Sequence, residues 1–201
     1  MKKITMSPTA VLVGTVVVIG ICLTLILHAY RKGEARGLVS SIRHGKLERL
    51  ENNKWTHMAA AEEVSTGERL RTDESALAVI AFSDAAEFLV GPSSDLEFVK
   101  DTKEFQARLD RGALWLKSNL RKGTRMSITT SIATAGIRGT SFSMVFGEGE
   151  KLVCVCTCSG EVEATAETGQ TLRVSTGHYV PLTAKGPVPE AAETSLPLLE
   201  K

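Results

Sequence analysis

From residue 38 onward the chain alternates apolar and polar positions in short segments. Residues 76–82 read ALAVIAF and residues 113–117 read ALWLK. Similar runs fall at 87–90, 96–99, 126–130, 141–146, 152–158, 162–164, 172–174 and 178–182. Gly45, Asn52-Asn53, Gly67, Asp73, residues 91–94 (GPSS), Gly112, Gly123, Gly160, Gly169 and Gly177 punctuate them. A period of two between regularly spaced turns predicts half-buried strands of an all-β domain. Only residues 58–64, MAAAEEV, have helical composition, and that run is too short to hold a helix alone.

Residues 9–29 break the pattern: TAVLVGTVVVIGICLTLILHA carries no Asp, Glu, Lys or Arg. As a helix, about 21 residues would span roughly 30 Å, the thickness of a bilayer core. Tyr30, Arg31 and Lys32 follow where interfacial anchors belong. Leu27 occupies the place where a small residue should precede Ala29 in a signal-cleavage site, and Ile21 does the same before Cys22 for a lipoprotein site, so an uncleaved anchor is expected. The expected organisation is a short cytoplasmic tail (1–8), a transmembrane helix (9–30), a juxtamembrane linker (31–37), a β domain (38–185) and a flexible tail (186–201).

Composition narrows the function. The chain has 201 residues and a net charge of +1, which argues against a nucleic-acid partner, since that calls for a concentrated basic face. Aromatics are 5%, too few for a base- or sugar-stacking platform. There is no G-x-S-x-G elbow, H-E-x-x-H or phosphate loop, so neither an enzyme nor a cofactor is expected. Asp84, Glu87 and Asp95 lie near turns, as solvated groups or partners of Arg138.

Three cysteines, Cys154, Cys156 and Cys158, share one face of a strand, with Val153, Val155 and Thr157 on the other. They are read as small apolar residues filling a buried layer, as a disulfide within or between chains, or, with His178, as a soft-metal site. Metal ligation is the least favoured. Trp55 and Trp115 are expected in the core rather than along a ligand groove.

The densest motif is Ala135-Gly136-Ile137-Arg138-Gly139-Thr140-Ser141-Phe142. Two glycines around one Arg would corner the chain between strands, with the guanidinium holding the corner. Residues 64–72 (VSTGERLRT), 81–86, 91–94, 109–116 and 160–164 (GEVEA) complete a set that resembles the FecR-type domain over about residues 38–185. Ala85 stands where that family usually has glycine. The resemblance implies a β-solenoid-like stack outside the cytoplasm and gives Ala135, Gly136, Ile137, Arg138, Gly139, Thr140 and Phe142 a structural duty. Well-known members of that family are anti-sigma regulators. Only eight residues precede the apolar run, so a sigma factor is not expected as partner.

The expectation is therefore a membrane-anchored sensor or adaptor in the bacterial inner membrane, its module extracytoplasmic, binding a ligand or an envelope protein. An envelope scaffold assembling through its β module, a homo-oligomer included, is the alternative, with a redox or metal module behind it. Flanking charges pull the other way: Arg31, Lys32 and Arg36 outweigh Lys2 and Lys3. Long C-terminal domains, however, translocate largely regardless of charge.

Overall fold

The computed structural model describes residues 19–22, 36–82, 86–99, 105–119, 125–137, 139–147, 149 and 151–188. The chain divides into two compact units, Met1–Glu34 and Ala35–Lys201. In the first, residues 19–22 form one helical turn. The expected membrane span otherwise lies outside the described residues, among which no helix is long and apolar enough to cross a membrane.

The second unit is all β. Among the described residues its strands form two sheets. Sheet A runs, in spatial order, β4 (Glu63–Ser65), β1 (Arg36–Arg43), β6 (Leu77–Phe82), β7 (Ala86–Val90), the second half of β9 (Phe105–Ser118), β12 (Ser141–Gly147), β13 (Leu152–Ser159), β16 (Tyr179–Thr183) and β17 (Gly186–Pro187). Sheet B runs β3 (Lys54–Met58), β2 (Leu47–Glu51), β5 (Arg69–Thr72), β8 (Asp95–Val99), the first half of β9, β10 (Met126–Thr129), β11 (Ala133–Ile137), β14 (Glu161–Ala166) and β15 (Thr171–Ser175).

Hairpins alternate between the sheets as the chain advances, and every pairing is antiparallel except β9 with β10. The all-β expectation holds, but the strands form two facing sheets of antiparallel hairpins around one core rather than the expected β-solenoid-like stack. Period-two patterning decides which side chains turn inward. In β6, Ala78, Ile80 and Phe82 are buried while Leu77, Val79 and Ala81 are not. The inward faces of both sheets merge into one apolar core. Phe82 of sheet A meets Phe98 of sheet B at 4.7 Å between ring centroids, and Phe88 meets Phe98 edge-on at 5.2 Å.

Strand β9 crosses from one sheet to the other at Gly112. Arg111 still pairs with Asp95 of sheet B, whereas Gly112 pairs with Phe146 of sheet A. The backbone there has φ +96°, and a Cβ would sit 2.3 Å from Ser94 Oγ, so only glycine fits. Sequence patterning treats Gly112 as a break between segments; the structure makes it a bend inside one 14-residue strand.

Residues 58–64, too short to hold a helix alone, are the end of β3, a turn and the start of β4. One other expectation changes. Neither tryptophan is in the core: Trp55 stays half-buried beneath the Arg71 guanidinium, 4.2 Å from its ring centroid, and Trp115 lies on the outer face of sheet A in register with Leu89 and Ser143.

Candidate functional site

The signature residues divide by direction. Ala135, Ile137 and Phe142 are buried in the core at 2% exposure or less. Gly139, at φ +74°, makes the corner after β11. Thr140 closes it against the end of β9: its N–H donates to Ser118 Oγ at 3.1 Å, and its carbonyl accepts from the Ser118 N–H at 2.9 Å and hydroxyl at 3.0 Å. Gly136 departs from expectation. It lies within β11 at ordinary strand geometry, where an added Cβ would meet only Glu163 at 3.7–3.8 Å. Arg138 lies outside the described residues, as does Asp84.

Gly136 instead leaves a gap on the outer face of sheet B. Cross-strand register aligns Gln106, Ser127, Gly136, Glu163 and Arg173 in one outward row. With no side chain at its centre, that row opens a cavity of about 400 Å³ floored by Gly136 and walled by Arg125, Ser127, Glu161, Glu163 and Arg173. The neighbouring outward row is hydroxylic: Thr129, Thr134, Thr165 and Thr171 stand opposite one another, and the Thr165 and Thr171 hydroxyls are 2.9 Å apart.

Electrostatics separate this groove from the rest of the sheet. On the β5–β8–β9 side, charges are consumed internally. Arg69 makes two parallel bonds to Asp95, from Nε at 2.7 Å and a terminal nitrogen at 2.9 Å, and reaches Asp110 at 2.9 Å. Arg108 donates to Glu97 at 2.6 Å and lies 3.1 Å from Asp110. Asp95 is thus Arg69's partner and is buried, not solvated. Arg173, by contrast, is 70% exposed and only 3.8–3.9 Å from Glu161 and Glu163, too far for hydrogen bonds. Its donors and both carboxylates remain available to an incoming polar group.

The alternative sites do not assemble. Cys154, Cys156 and Cys158 are free thiols. They face outward from sheet A, while Val153 and Val155 fill the core side at 0% exposure. The layer-filling reading is therefore reversed, and no bridge joins them within the chain. His178 is exposed, its Nδ1 3.1 Å from the Thr176 carbonyl oxygen. Among the described residues no three His, Cys, Asp or Glu groups are placed to hold a metal ion.

Sequence reasoning passed over Ser127, Glu161, Glu163 and Arg173. The only available signal was the alternation of Glu161 and Glu163 around Val162.

Residues 68–163 match the family model described as FecR protein. No curated protein matches the chain. Two crystal structures of a candidate anti-sigma factor from Parabacteroides distasonis ATCC 8503 are similar in fold, each with TM-score 0.54 at 11% identity over 60% of this chain. The matched region spans little more than half of that protein, 56% and 57% of the two chains.

Proposed function

Because this chain is a FecR-domain protein, we propose that it is a non-catalytic sensor or adaptor that binds a protein partner at the cell envelope through the groove over Gly136. The observation that carries this reading is the open charge of that groove. Arg173, Glu161 and Glu163 are held together in register yet left without hydrogen bonds to one another, whereas the neighbouring ion pairs of the same sheet are closed. A polar, mixed-charge segment of a partner would supply the missing bonds.

In this reading residues 9–30 tether the protein in the inner membrane and the β module stands on the extracytoplasmic side. The anti-sigma description of the structural neighbour supports a regulatory task. Only the fold is shared, so no sigma factor is assigned as partner. Assembly through sheet edges is the weaker reading. Edge strands β4 and β17 have 3 and 2 residues, β17 contains Pro187, and the remaining edges carry Lys54 and Arg173.

The test is affinity capture by the full chain from envelope membranes, with Gly136→Gln as comparison. This substitution fills the groove at a site with room for a Cβ. The partner should fall at least tenfold in yield while the circular dichroism and melting of the variant stay close to the wild type. Equal capture by both proteins would reject the groove as the binding site. Protease shaving of spheroplasts, with a cytosolic control, tests the topology separately.

A further inference from the structure

The charges beside Gly136 do not cancel. Arg173 has two carboxylates near its Nε, Glu161 at 3.8 Å and Glu163 at 3.9 Å, and hydrogen-bonds neither. Arg125, the other cation lining the cavity, already has an interaction of its own. One guanidinium thus faces two carboxylates, and one negative charge is left over. Glu161 and Glu163 lie two apart on β14, so both side chains rise from the same face.

The space beside those carboxylates has a defined width. Ser127 on β10 and Glu163 on β14 flank Gly136 in the cross-strand row. Strands about 4.8 Å apart place the two flanking backbones roughly 9.6 Å from each other. One side chain laid over the Gly136 backbone fills that slot. Its entrance is clear, because the nearest atoms to a Cβ at Gly136 belong to Glu163, at 3.7 and 3.8 Å.

Resting on the reading that a partner segment lies over Gly136, we propose that this segment inserts a lysine there, its ammonium bound by Glu163 and the Ser127 hydroxyl. Three features select lysine. The unbalanced charge calls for a cation. The slot is narrow and floored by backbone, which suits a straight methylene stem better than a branched or ring side chain. The acceptors are a hydroxyl on one wall and a carboxylate on the other. A compact ammonium with three rotatable donors meets both, whereas the planar fork of arginine matches a single carboxylate. Arg173 competes with the lysine for the same carboxylates, which keeps the contact exchangeable. The Arg69–Asp95 pair of the same sheet, closed by two hydrogen bonds, offers no such opening.

The ligands tested are blocked glycine pentapeptides whose central residue is lysine, arginine, norleucine or glutamate. The full chain in lipid nanodiscs is titrated with each, and the backbone amide signals of Ser127 and Gly136 are followed by nuclear magnetic resonance. The lysine peptide should bind about fivefold more tightly than the norleucine and glutamate peptides, the scale of a partly exposed ion pair. It should lose that margin as salt is raised. Glu163→Gln, which keeps the shape and removes the charge, should erase the margin. Arg173→Gln should widen it by removing the competing cation, whereas a carboxylate ligand would lose affinity for that variant. A lysine peptide that binds no better than the other three, or that binds Arg173→Gln more weakly than wild type, would overturn the proposal. The same variants in the envelope capture separate this inference from the reading beneath it. Capture lost with Gly136→Gln but unaltered by Glu163→Gln rejects the lysine and leaves the groove as the partner's site. Capture indifferent to Gly136→Gln rejects both.

Discussion

At the scale of single residues, a tight constraint is the contact of Ser94 with Gly112. Ser94 Oγ donates toward the Gly91 carbonyl at 2.8 Å and accepts from the Ala113 N–H at 3.0 Å, while Thr72 Oγ1 donates to the same Gly91 carbonyl at 2.7 Å. Gly112→Ala forces a Cβ into Ser94 at a backbone angle side chains rarely adopt, and is expected to cost on the order of 3 kcal/mol or more. Ser94→Ala removes a buried hydroxyl and leaves polar partners unpaired, about 1–3 kcal/mol. Urea titrations of both variants measure this, and a loss below about 1 kcal/mol for Gly112→Ala would show that β9 does not depend on the bend. Residue chemistry was legible where one geometry suits one amino acid: Asn52 and Asn53, read as a turn, take φ 48° and 61° between β2 and β3. It was not legible where two residue types suit one role. Val and Cys are comparably apolar, so alternation placed the three cysteines together without telling which face of β13 met the core.

Glu68 supplies a pH test at the same scale. Burial pushes its carboxyl above the ordinary 4.5, against the lowering pull of Arg49, which lies 3.5 Å away. The folded protein then binds this proton more readily than the unfolded chain. Between about 4.5 and the raised folded value, stability should fall as pH rises and be regained as pH drops. Asp73 acts oppositely and lower down: hydrogen bonds from Ser75 hold its carboxyl below 3.8, so its contribution is present above 3.8 and lost as pH falls through the folded value. Melting temperatures of wild type and Glu68→Gln from pH 7 to 4.5 isolate the first effect. The variant should lose part of the gain on acidification, and parallel curves would remove Glu68 from the account.

At the scale of elements, the aromatic cluster fastens sheet to sheet. Phe98 of β8 is fully buried against Phe82, Phe88 and Phe105, with centroids 4.7–6.0 Å apart. Phe98→Ala should cost about 3–5 kcal/mol, the range for large core truncations, read from chemical denaturation. The core of the β10–β17 region is made chiefly of Val, Ala, Ile and Met, with Phe142 and Phe146 as its aromatics. Val155→Ala there should cost less, on the order of 2 kcal/mol for two methyl groups at about 0.8 kcal/mol per buried carbon plus a small cavity. The reverse order would mean that the aromatic cluster relaxes around its loss. Most strands were legible as elements, because one side of each is wetted and the period-two pattern survives: LAVIAF reads as it folds. β9 was not. Its halves belong to different sheets, and a glycine serving as a bend has the same local signature as one serving as a turn. The groove was hidden for a related reason: register brings Ser127, Gly136, Glu163 and Arg173 together across four strands, and alternation carries no register between distant segments.

At the scale of the whole β module, β9 is the centre of both sheets. β1–β8 pair among themselves and with β9, and β10–β17 do likewise; no ladder among the described residues joins the two sets directly. Remaining coupling passes through the shared core, in which Phe105, Leu109, Leu114 and Leu116 of β9 touch or line both sides. One strand carrying that much buried surface should make unfolding a single cooperative event, since losing β9 exposes both sets of strands at once. Amide hydrogen exchange followed by mass spectrometry tests it. Peptides from β6–β7 and from β13–β14 should open with the same free energy, matching the global value from denaturation. Leu116→Ala should lower both together, because its side chain is fully buried where β7 and β12 flank β9. If the β13–β14 peptides exchanged markedly faster while β6–β7 kept full protection, β9 would be a hinge between two separately stable halves rather than the strand that unites them.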